Sequence, residues 1–194
     1  MPTFETDKFP FVKAKFFRNI TDKRQVRLIV IHSMESPETN KTAENVAKFF
    51  QTTPNPASAH LCIDNDSIVQ CVLDNNIAFA APGANNDGVH LELAGRANQT
   101  REQWMDEFGL LLLEQAAEAA AQYSLKFDIP VKHLTNAELA DKNSRGIVGH
   151  VQVSQVFKKS THVDPGPGFP WDFFIERVQK RREDRLKKLG ASNN

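Results

Sequence analysis

Apolar and polar positions follow two rhythms along this chain, and the points where one gives way to the other mark out its elements. Residues 27–31, Arg27-Leu28-Ile29-Val30-Ile31, form a nearly continuous β-branched run, the pattern of a strand buried on both faces. The run ends on His32-Ser33, so a polar pair emerges at the carboxyl end of a core strand, where α/β sheets tend to build ligand sites. From Thr42 the period lengthens: Ala43, Val46, Ala47 and Phe50 fall at i, i+3, i+4 and i+7, which predicts a helix, and Thr53-Pro54-Asn55-Pro56 stops it. Two short apolar runs, 59–63 and 68–72, flank the polar turn Asp64-Asn65-Asp66-Ser67 and predict a β-hairpin. Residues 89–93 read as another strand, with the carboxylate of Glu92 in its middle. The longest predicted helix runs from Thr100 to about Ser124. It opens on the capping-box sequence Thr100-Arg101-Glu102-Gln103 and carries Trp104, Phe108, Leu111, Leu112, Ala116 and Ala119 on one face. A short helix over 136–139, a strand over 146–150 ending in His150, and a last helix from about Trp171 complete the pattern.

This order of elements predicts an α/β fold in a single domain, a mixed central sheet of about five or six strands flanked by helices. Residues 26–178 would form that domain. Residues 1–25, with Phe9, Phe11, Phe16 and Phe17, would pack on its core as a segment without clear periodicity. Residues 179–194, with the charge run from Lys180 to Lys188, would be a solvated helix end or linker closing on a frayed tail. Acidic and basic side chains balance at 24 each. That argues against nucleic acid as a partner, since phosphate binding draws on an excess of Lys and Arg. No apolar run is long enough to insert into a bilayer. The opening Met1-Pro2-Thr3-Phe4-Glu5-Thr6 lacks the basic and apolar regions of a signal peptide, so synthesis as a soluble cytoplasmic monomer is expected. Cys62 and Cys71 fall in the two arms of the hairpin and read as buried free thiols rather than a disulfide framework.

The candidate chemistry lies in six histidines, His32, His60, His90, His133, His150 and His162. His32 and His150 close strand-like runs, which would bring two imidazoles to one edge of a sheet. His162 and Asp164 follow in Thr161-His162-Val163-Asp164-Pro165-Gly166-Pro167, a loop whose path the prolines and glycine constrain. Catalytic zinc takes three protein ligands and leaves one position open. A set can be drawn from His32, His150 and either His162 or Asp164, although the HExxH and CxxC spacings are absent. A G-x-S-x-G elbow and a glycine-rich phosphate loop are also missing. Glu92 admits two readings: a buried carboxylate with raised pKa, suited to general base work, or an ordinary charge on a solvent-facing edge strand.

The series Val30-Ile31-His32-Ser33, Ala57-Ser58-Ala59-His60-Leu61-Cys62-Ile63, Leu91-Glu92-Leu93-Ala94-Gly95, Val148-Gly149-His150 and His162-Val163-Asp164-Pro165-Gly166 resembles the type 2 N-acetylmuramoyl-L-alanine amidases. That family includes phage endolysins, cytosolic amidases of muropeptide recycling and animal peptidoglycan recognition proteins. The resemblance spans about Val26 to Trp171 and implies a zinc-dependent hydrolase that cuts peptidoglycan between the lactyl group of N-acetylmuramic acid and L-alanine. It implies Zn²⁺ ligands at His32, His150 and Asp164, a proton acceptor at Glu92, and at His162 a cation that supports the oxyanion or protonates the leaving amine. His60 would be structural or touch substrate.

The wording around His32, Glu38 to Val46 and His60 is most similar to endolysins of phages, which implies cell lysis after release through a holin. Leu61 stands where an aromatic is common, and Ile77-Ala78-Phe79-Ala80-Ala81-Pro82-Gly83 lacks the Trp-His of many recycling amidases. A peptidoglycan-binding module without catalysis and a recycling amidase are the alternatives. The first is disfavoured because all three ligand positions hold metal-competent residues.

Overall fold

A computed structural model describes residues 6–191 of the chain. The five strands are β1 (Leu28–Ser33), β2 (Leu61–Ile63), β3 (Ile68–Gln70), β4 (Gly88–Leu93) and β5 (Gly146–Gly149). The helices are α1 (Thr42–Thr52), α2 (Arg101–Trp104), α3 (Glu107–Phe127), α4 (Asn136–Ala140), α5 (His150–Phe157) and α6 (Trp171–Ala191). Among the described residues the strands form one mixed sheet in the order β3-β2-β4-β1-β5. β1 runs parallel to β4 and β5, β2 runs parallel to β4, and only the hairpin partner β3 is antiparallel.

Alternation along the strands divides the core in two. Ile29, Ile31, Leu91 and Leu93 face α3 and α6, against Leu112, Leu113, Ala116, Phe174 and Val178. On the opposite face Leu28, Val30 and Val148 meet Leu139 of α4 and Val153 of α5, while Cys62 meets Ala43, Ala47 and Phe50 of α1. Each fully buried side chain of this size contributes roughly 1.5–3 kcal/mol. A one-residue slip of β1 would reverse all of them, so the core fixes the register that sets His32 opposite Glu92.

Residues 10–14 lie along the exposed edge of the sheet. Val12 N–H donates to the Gln70 carbonyl at 2.9 Å, and Gln70 N–H donates to that of Pro10 at 2.8 Å. This covers the free edge of β3, which would otherwise present unpaired backbone groups. Residues 1–5 and 192–194, the ends of the expected N-terminal segment and tail, lie outside the described residues.

Two elements differ from the expectation. The helix expected over 100–124 is broken: the Thr100 box caps only α2, and Asp106 starts α3 afresh by accepting from Gly109 N–H at 2.8 Å. A Cβ on Gly109 would lie 2.1 Å from the Trp104 carbonyl oxygen, so glycine allows the close approach of the two turns. The strand expected to include His150 stops at Gly149, and His150 opens α5, a helix the periodicity did not reveal. The charge run continues α6, where Arg177 pairs with Glu114, Arg181 meets the same carboxylate at 2.6 Å, and Arg185 pairs with Glu118. Cys62 and Cys71 are free and buried, with sulfurs 3.7 Å apart.

Candidate active site

A cleft of about 740 Å³ opens on the face of the sheet between α1 and the loop after α5. At its floor lie His32 from the end of β1, Glu92 from β4 and His150 from the first turn of α5, with His162 and Asp164 from the loop beyond. Its other wall includes Val46 and Phe49 of α1 together with Phe79 and Pro82. These last two belong to the stretch that departs from the recycling amidases.

Each floor residue is placed by local chemistry. The hairpin turn fixes α1: its start has no side-chain cap of its own, and Asp64 supplies one from outside by accepting from Ala43 N–H at 2.9 Å. His150 is set by Gln152, whose side-chain oxygen accepts from Gly149 N–H at 3.0 Å and whose amide donates to the Leu134 carbonyl at 2.6 Å. Val151 N–H then donates to the Asp164 carbonyl at 2.8 Å, tying the loop to the first turn of α5. Gly166 holds the far side of that loop. Its φ is +89°, and a Cβ there would lie 1.8 Å from the Ala97 carbonyl oxygen, so a side chain would push Asp164 from its place.

The three proposed ligands converge. One donor atom from each of His32, His150 and Asp164 lies within 4.8 Å of the others, and all three residues are buried. His32 Nδ1 is 3.2 Å from one Asp164 oxygen, and His150 Nδ1 is 3.3 Å from the other. Those separations are of the order expected between neighbouring ligands on a tetrahedral ion with bonds of about 2.0–2.1 Å. Two imidazoles and a carboxylate at the base of an open cleft are also the donor chemistry of a catalytic rather than a structural zinc site. The residues fit the metal.

His162 stacks on His150, ring centroids 4.1 Å apart, and its Nδ1 is 3.3 Å from Asp164. Its side chain is 61% exposed, so of the two loop residues it is Asp164 that lies deep in the site. Burial holds the Asp164 carboxyl up, but hydrogen bonds from His150 and His32 outweigh it and keep the group far below the usual carboxylate range. Desolvation and His150 lower the His162 pKa below its ordinary value of 6.5. The shift runs against the cationic form that the resemblance implies there.

Glu92 lies 4.0 Å from His32 Nδ1. β4 is flanked by β2 and β1, which removes the edge-strand reading of this residue. Burial first, then the charges of Asp164 and Glu35, push its carboxyl well above the usual range.

His60 does not line the cleft. It is fully buried, with Nδ1 accepting from His90 N–H at 3.0 Å and Nε2 3.1 Å from the Asn76 carbonyl. That position supports the structural half of its expected role and not substrate contact. His90, to which the sequence reading gave no role, is fully buried under the site with Nδ1 3.1 Å from His32 Nε2. Desolvation, then the nearby His32, lowers its pKa well below 6.5. The signal was present: His90 is two residues before Glu92, hence on the same face of the strand. His150 Nε2 has a comparable neighbour in Ser160 Oγ at 3.4 Å, itself 2.7 Å from Ser154 Oγ.

Comparison with known proteins agrees with this geometry. The family model for N-acetylmuramoyl-L-alanine amidase matches residues 22–167. The chain belongs to that family. It is an amidase, and its sheet and flanking helices recur in solved structures of low sequence identity. The hydrolase AmiA of Staphylococcus aureus, in complex with its ligand, superposes with a TM-score of 0.67 at 14% identity, covering 95% of this chain and 87% of AmiA. A selenomethionine derivative of AmpD gives 0.63 at 17%, covering 93% and 98%. The endolysin amidase LysCS of Clostridium intestinale gives 0.58 at 13%, covering 91% and 98%. A search of the curated proteins found no match.

Proposed function

We propose that this amidase hydrolyses the bond between the lactyl carbonyl of N-acetylmuramic acid and L-alanine in peptidoglycan, using a zinc ion held by His32, His150 and Asp164. The observation that carries the reading is the convergence of those three donor atoms within 4.8 Å, beside a partly buried glutamate at the floor of an open cleft. When bound, zinc polarises the amide carbonyl and brings the pKa of water down to about 7.

The protein's own groups supply the rest. Asp164 and the two imidazoles form a nearly rigid base, because each is buried and anchored from behind. Glu92 accepts a proton from the attacking water as the C–O bond forms, and its raised pKa makes it a stronger base than a surface carboxylate. As the C–N bond breaks, that proton passes to the leaving amine, giving a lactyl carboxylate and a free L-alanine amino terminus. His162, exposed at the mouth and within hydrogen-bonding reach of Asp164, offers an N–H to the oxyanion.

The biological setting is cell lysis by a phage endolysin, acting as a monomer after release through a holin; the support is the family resemblance of the motifs around His32 and His60. The test is digestion of purified cell walls, with mass spectrometry of the products. New L-alanine amino termini with uncut glycan strands are expected, whereas new reducing sugar ends without amino termini would overturn the reading. A parallel digest of soluble muropeptides separates the settings, since preference for them over intact walls would favour recycling.

A further inference from the structure

We propose that His90 is the positioning residue of the first metal ligand: with zinc bound, its Nδ1 accepts the Nε2 proton of His32 and so leaves His32 Nδ1 bare and turned toward the metal site beside Asp164. This rests on the zinc site proposed above and assigns a role to a residue outside its ligand set.

A neutral imidazole carries one N–H, and only its other nitrogen can bind a metal. The Nδ1 of His32 points at Asp164, 3.2 Å away, so a ligating His32 must carry its proton on Nε2. Nε2 points into the protein, since His32 is only 2% exposed, and a buried N–H needs an acceptor. The acceptor there is His90 Nδ1 at 3.1 Å. Metal-bound histidines usually donate this second proton to a carboxylate, a carbonyl or water. Here another imidazole takes that place.

His90 is itself held in position to accept. Its backbone N–H donates to His60 Nδ1 at 3.0 Å, and its carbonyl accepts from His60 N–H at 3.0 Å. His60 is secured in turn at the Asn76 carbonyl, 3.1 Å from its Nε2. The result is a column of three imidazoles under the site, with the His60 and His90 rings stacked at 5.7 Å and the His90 and His32 rings 5.3 Å apart. An acceptor at Nδ1 leaves the proton of His90 on Nε2, a buried atom with no hydrogen-bond partner among the described residues. An apolar side chain inside β4 would avoid that desolvation. The polar ring is accounted for by what its other nitrogen does for His32.

The experiment compares zinc affinity, by competition with a chromophoric chelator, for the wild type, His90→Leu and His90→Asn. Leucine keeps the volume and loses the acceptor, whereas the asparagine Oδ1 can stand where Nδ1 was. The leucine variant is expected to bind zinc about 10- to 100-fold more weakly, and the asparagine variant to stay within roughly threefold of wild type. Thermal unfolding of the metal-free proteins separates this role from a packing role, which would lower both variants without distinguishing their affinities. Long-range ¹H–¹⁵N NMR of the zinc-loaded wild type supplies a readout independent of any variant's folding: His32 should carry its proton on Nε2. A leucine variant that holds zinc as tightly as wild type, or a His32 protonated at Nδ1 in the loaded protein, overturns the proposal. If the wild type itself takes up no zinc, the metal reading falls and this inference with it.

Discussion

Asp164 joins more of this site than any other single side chain, since its two oxygens reach His32, His150 and His162. Its depth separates it from His162, although the two lie only two positions apart in the chain. The exposed imidazole should therefore be dispensable for metal binding and needed for turnover. His162→Ala is expected to retain zinc and lose about 10²-fold or more in kcat, the order seen when one oxyanion donor is removed. Metal analysis alongside steady-state kinetics checks this, and a His162→Ala protein purified without metal would reverse the two roles. At this scale the ligand candidates were legible because histidines at strand ends and a constrained Asp-Pro-Gly loop leave marks in the sequence. The choice between His162 and Asp164 was not legible from spacing, because side chains two apart in an extended loop point the same way. Nor was the lowered pKa of His162, which desolvation and then the nearby His150 ring bring about.

Elements were readable where one face alternates and ambiguous where two signals coincide. Val151-Gln152-Val153-Ser154 alternates like a strand, yet it forms the start of α5, where Gln152 anchors the preceding Gly149 and Leu134 at the first turn. The cap that starts α1 comes from Asp64, more than twenty residues downstream, and no local window contains it. The N-terminal segment is secured in a similarly remote way. Asp74 accepts from Thr6 Oγ1 at 2.9 Å, Gln70 at 2.8 Å, Tyr123 at 3.0 Å and Lys126 at 2.8 Å, joining that segment to the hairpin and to α3. Burial raises the Asp74 carboxyl, but Lys126, Thr6 and Tyr123 outweigh it and hold its pKa below the ordinary 3.8. A carboxyl depressed in the folded state contributes stability above its unfolded pKa and sheds it as pH falls through the folded value. Asp74→Asn should thus cost roughly 1.5–3 kcal/mol at neutral pH, the range for hydrogen bonds to a charged group. The gap from wild type should close below about pH 3.8, the ordinary value. Denaturant titrations across pH measure it; a gap that stays constant into strong acid would place the effect in packing rather than charge.

On the scale of the whole molecule, the sheet explains why residues from four separate stretches meet. β1 lies between β4 and β5, and all three run parallel, so the carboxyl end of β1, the start of α5 and Glu92 come to the same end of the sheet. α3 and α6 close one face, leaving the cleft to the other. The sequence order of elements was enough to anticipate this class of fold, since parallel strands need crossovers and the chain places helices between them. What it could not show is which strand is central, and that decided the reading of Glu92. The account stands on the metal centre, and zinc content is its most direct measure. Elemental analysis of the purified chain, handled without chelators, should find about one zinc ion per chain in the wild type and almost none in Asp164→Ala, which should also lose activity. A wild-type protein that is fully active with negligible zinc, or an Asp164→Ala protein that holds the ion tightly, would contradict it.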